Sequence, residues 1–132
     1  MILVPVSLGE LIDKITILKI KQQRITDPAK LENVNREYDL LYNILKEQQI
    51  TDEDEHFKQL YEINNEFWDY HDWQRERWQS LGNNANLVDV ELYRKNREEH
   101  ILNDKRAEIK KMINLKYKSE IVEEKQFIHY SI

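Results

Sequence analysis

The chain has 132 residues, 34% of them charged and 40% apolar, with a net charge of −5, no cysteine, two glycines and two prolines. That length suits one domain with a core of its own, and so few Gly and Pro leave little turn chemistry for a many-stranded β fold. The missing cysteines exclude disulfides, thiolate nucleophiles and Cys-based zinc sites. No apolar run approaches the roughly 18 residues of a membrane span, and the opening MILVPVSLGE lacks a signal peptide's basic n-region. A cytoplasmic protein is the expectation.

Ile2 to Val6 is β-rich and contains Pro5, so it reads as an extended segment or edge strand. Ser7 with Glu10 forms a Ser-x-x-Glu capping box that opens the first helix. Leu8, Leu11, Ile12, Ile15, Leu18 and Ile25 then make one apolar stripe, ending near Thr26. Ile17 and Ile20 lie off that stripe, which predicts cover on more than one side. Asp27-Pro28 restarts the chain as N-cap and first helical residue. Leu31, Val34, Tyr38, Leu41 and Leu45 follow the 3-4-3-4 spacing of a helix lying almost antiparallel to its neighbour.

Thr51 and Asp54 offer caps for a third helix, whose first turn is acidic as the helix dipole favours. It runs to about Ser80 and closes on Leu81-Gly82. NNAN is the turn, and a fourth helix is predicted from near Leu87 to about Leu115. The tail QFIHYSI is β-rich and could pair with the N-terminal segment. Short connections between helices predict an all-α fold: a single antiparallel helical bundle of about four helices over residues 1–132, with a long C-terminal helical hairpin.

Asn64 to Trp78, NNEFWDYHDWQRERW, holds all three tryptophans. On a helical projection Phe67, Trp68 and Trp78 join one core stripe with Asn64, His71 and Arg75, while Trp73 points about 140° away with Tyr70 beside it. If the hairpin turns near residue 84, position i faces 168 − i. His71 and Arg75 then meet Glu91, Arg94 and Glu98, where the fourth helix's apolar stripe is interrupted. A polar layer of these five side chains is expected there, because buried charge is tolerated only when paired. It is a candidate ligand site, a structural ion-pair cluster, or simply a solvated hairpin end whose side chains reach water.

Charge is uneven along the chain. Residues 27–79 hold 14 acids and 6 bases, and residues 94–118 hold 9 bases and 4 acids. The bases ring the fourth helix instead of forming one face, so complementing acidic helices is favoured over nucleic acid. Glu53-x-x-His56 is the one Glu-x-x-His spacing present, half of what a di-metal bundle uses. Glu10-x-x-Asp13 and Glu66-x-x-Asp69 have the spacing of Mg²⁺ carboxylate pairs, but 25 acids produce such pairs by chance. No catalytic set, metal or other cofactor is predicted.

Three segments together, VSLGELIDKITILKIK, NDKRAEIKKMIN and IVEEK, resemble a family of small proteins of unknown function found in bacteria and their phages. The likeness spans nearly the whole chain. It marks Glu10, Asp13, Lys14, Asn103, Asp104, Arg106 and Lys110 as matching polar positions. The family's Asn-x-x-Leu-Trp pattern, followed by Asp and Arg, corresponds to Asn64, Phe67, Trp68, Asp72 and Arg75, with His71 where an acid is usual. No activity comes with the resemblance.

The reading favoured by the sequence is a non-enzymatic protein-binding or regulatory module. It would meet a protein partner or a second copy through the hairpin and the Tyr70/Trp73 face, since aromatics anchor interfaces. The alternative is a binder of a small anionic ligand, or an enzyme, built on His71, Arg75, Glu91, Arg94 and Glu98.

Overall fold

In a computed structural model, which describes residues 1–82 and 89–125, the chain is all-α. Its helices are α1 (Leu8–Arg24), α2 (Pro28–Glu47), α3 (Glu55–Leu81) and α4 (Val90–Lys116). The cap residues read from the sequence placed the starts of the first three correctly. Ser7 Oγ accepts the Glu10 N–H, Asp27 accepts Ala29 N–H, and Asp54 accepts the N–H groups of His56 and Phe57. The capping box is only half made, because the Glu10 carboxylate reaches Lys110 on α4. Asp89 caps α4 through Leu92 N–H, so the helix begins at Val90. The NNAN turn and Leu87, its expected start, lie outside the described residues.

Helix α1 is the hub. Helices α2, α3 and α4 all pack on it, and α3 and α4 pack on each other, while α2 rests on α1. Ile17 and Ile20, off the main stripe of α1, face the α3–α4 side, which is why that helix needed apolar residues around much of its circumference. The core joins Ile12 and Ile15 of α1 to Leu45, Ile50, Phe57, Leu60 and Ile113. Burying side chains of this size contributes roughly 1.5–3 kcal/mol each.

Helices α1 and α4 cross closely at Gly9. A Cβ there would lie 2.6 Å from the Lys110 carbonyl oxygen, so only glycine lets the backbones approach. Gly9 N–H donates to Asn114 Oδ1 at 2.7 Å, locking the crossing.

The expected pairing of the two termini is not seen. Ile2 to Val6 is exposed, outside any helix and without a strand partner among the described residues, and the tail QFIHYSI lies outside them. Trp78 corrects another expectation: it is 52% exposed and not in the core. The buried residues of α3 run from His56 to Phe67, and those of α4 are Ile113 and Asn114. At 1.5 Å per residue α1 spans only about 26 Å against about 40 Å for α3 and α4, so α1 gives out before Trp78 is reached. The hairpin's far half therefore continues as a two-helix arm with no fully buried side chain.

Candidate functional site

Helix α1 presents Asp13 and Thr16, both buried, to Asn64 of α3. The Asn64 amide donates to Asp13 Oδ1 at 2.8 Å and to Thr16 Oγ1 at 2.9 Å. Its carbonyl oxygen accepts from Arg106 of α4 at 3.3 Å, and the same guanidinium donates to Asn103 Oδ1 at 2.7 Å. The Arg106 Cζ atom also lies 4.7 Å from the ring centre of Phe67. One asparagine thus ties three helices together with its polar atoms satisfied, as burial demands.

One turn further along α4, Lys110 donates to Glu10 at 2.5 Å and lies 3.9 Å from Asp13 and 3.4 Å from Glu123. Burial pulls the Lys110 ammonium down, but the carboxylates of Glu10, Asp13 and Glu123 outweigh it and hold its pKa above the ordinary lysine value. The Glu10–Asp13 pair, spaced for a divalent cation, is instead bridged by this ammonium. Glu123 also accepts from the Ser7 hydroxyl, and Glu124 pairs with Lys111 at 2.9 Å. The segment after α4 is thereby strapped across the start of α1. Asn114 Nδ2, buried at the α1–α4 crossing, has no partner among the described residues.

Beside Arg106 a recess of about 390 Å³ opens between α1, α3 and α4. Ile17, Ile20, Phe67 and Trp68 form its apolar lining, and Arg106, Asn103, His71, His100 and Glu99 its polar rim.

The seven family-matching positions divide between this centre and its surroundings. Glu10, Asp13, Asn103, Arg106 and Lys110 are drawn into it. Lys14 is exposed and reaches toward Glu37 of α2 at 4.0 Å, and Asp104 faces a groove beside the strap. Spacing alone did not single out this centre, because its members come from three helices. The signals available were Asn64 on an apolar stripe and the three matching segments.

The five-residue polar layer is not assembled. His71, Arg75, Glu91, Arg94 and Glu98 are all exposed. His71 pairs with Glu99 at 3.2 Å, Glu91 lies 3.8 Å from Arg77, and Glu98 takes Lys95 at 3.6 Å. The register explains what they meet: i opposite 168 − i holds to within two residues, with Trp73 under Lys95 and Tyr70 bonded to Asn96. Two helices alone cannot enclose a layer, and α1 does not reach this part of the hairpin. Tyr70 and Trp73 are half-buried, 6.3 Å apart between ring centres, and Lys95 stands 5.9 Å from the Trp73 ring. Trp73 thus has an intramolecular neighbour on α4.

No helix among the described residues is long and apolar enough to cross a membrane. A family model described as a family of unknown function, DUF6165, matches residues 2–130. No curated protein and no solved structure matches the chain.

Proposed function

We propose that this chain, which belongs to the DUF6165 family of unknown function, is a non-enzymatic protein-binding module of bacterial or phage origin, acting in the cytoplasm as a single helical domain. The observation that carries the reading is the arm. From Asp72 to Leu81 and from Val90 to Glu98 no side chain is fully buried. The arm nevertheless shows Trp78, Val90 and Tyr93 at 52%, 63% and 66% exposure. A two-helix hairpin without a core gains little from its own packing, and large aromatics are the residues that anchor interfaces. The contact surface therefore shifts outward from Tyr70 and Trp73, which line the seam between α3 and α4, to the end carrying Trp78 and Tyr93.

The test is light scattering and cross-linking of the wild type and a Trp78→Ala/Tyr93→Ala variant, alone and with protein captured from the native host. A dimer or a stoichiometric complex that the variant loses supports the reading. A wild-type monomer that captures no protein, or a complex indifferent to the variant, overturns it.

A further inference from the structure

We propose that the recess between α1, α3 and α4 is a binding site for a small, singly charged carboxylate carrying a flat apolar body. The inference is independent of the arm, since it rests on Arg106 and the wall it stands in. A guanidinium has five N–H donors in a fixed fork. Among the described residues the hydrogen-bond partners of Arg106 are two neutral amide oxygens, those of Asn64 and Asn103. Its charge is thus held in place without being neutralised, and N–H groups remain to meet a carboxylate edge. Its guanidinium carbon lies 4.7 Å from the Phe67 ring centre, a cation–π contact that holds the group against the recess wall.

The rest of the lining selects the body and the charge. Ile17, Ile20, Phe67 and Trp68 give an apolar, partly aromatic wall, suited to a ring and not to a bare ion. Glu99 stands on the same rim and pairs with His71 at 3.2 Å, so a dianion such as phosphate would meet a fixed negative charge. The volume, about 390 Å³, lies within the range of small-molecule sites.

The experiment is a proton–nitrogen NMR titration of the full chain with three probes: benzoate, its neutral isostere benzamide, and inorganic phosphate. Benzoate is expected to shift the Trp68 indole and Arg106 Nε–H signals saturably, with a Kd of roughly millimolar. Benzamide should bind about tenfold more weakly or worse, and phosphate should leave both signals unmoved. Arg106→Gln and Arg106→Lys should each weaken benzoate about tenfold, Lys because it keeps the charge and loses the fork. Ile17→Phe, which narrows the recess without touching Arg106, should do the same and guards against an Arg106 variant that fails to fold. The proposal is overturned by unsaturable benzoate shifts, by benzamide binding as well as benzoate, by phosphate binding more tightly, or by folded variants that bind benzoate unchanged.

Discussion

At the residue scale the molecule depends on side chains whose partners come from other helices. Asn64 serves Asp13, Thr16 and Arg106 at once. Asn64→Leu, which keeps the branching at Cγ but not the amide, should cost about 2–4 kcal/mol in urea unfolding, because it leaves a buried carboxylate and a hydroxyl without their donor. Gly9→Ala should cost about 1–3 kcal/mol by overpacking, since the obstructing atom is backbone and cannot rotate away. Lys110 carries a pH signature. Its folded pKa is raised, so its contribution is fully present below the unfolded lysine value, about 10.4, and is lost as pH rises through the folded value. Alkaline unfolding should therefore be shallower in Lys110→Met, already destabilised at neutral pH, than in the wild type. Glu10 and Asp13 were legible as carboxylates three apart, and Lys110 as a base on α4. That they form one cluster was not legible, because an ion pair across about 100 residues leaves no trace in local spacing.

At the element scale the caps made the helix starts readable, and Asp54 shows how a cap can also be a tertiary contact. It accepts two backbone N–H groups of α3, the Tyr117 hydroxyl beyond α4 donates to it, and Lys116 lies 3.9 Å away. Burial would raise its pKa, but Tyr117, the two N–H groups and Lys116 together hold it below the ordinary carboxylate value. Its contribution is thus present above the unfolded value, about 3.9, and is lost as pH falls through the lowered folded value. Asp54→Ala should cost about 1–2 kcal/mol at neutral pH and should lose less stability than the wild type between pH 5 and the acid transition, by circular dichroism. Helix α4 was the least readable element. Its charges ring it and it fully buries only Ile113 and Asn114, so its place was set by the register with α3 and not by an apolar stripe.

At the scale of the whole molecule, stability is concentrated where α1 lies. Amide hydrogen exchange should be slowest in α1 and around Phe57 to Phe67, and fastest in the arm from Asp72 to Leu81 and Val90 to Glu98, where no side chain is fully buried. For the same reason Trp78→Ala and Tyr93→Ala should each change unfolding free energy by no more than about 0.5 kcal/mol, even though they remove large aromatics. A conventional core Trp→Ala would cost about 3–5 kcal/mol.

The sequence by itself determined the helical class, three of the four helix starts and the hairpin register, because caps, periodicity and turn residues act over a few positions of chain. It also marked Glu10, Asp13, Arg106 and Lys110, through matching segments, without saying what they share. Only the tertiary structure decided that α1 is the hub, that Trp78 stands in the open while Asn64 is buried, and that Arg106 faces a recess. Those outcomes follow from helix lengths. Where α1 covers α3 and α4 their inward residues are enclosed, polar ones included. Beyond its end the same helical stripe faces water.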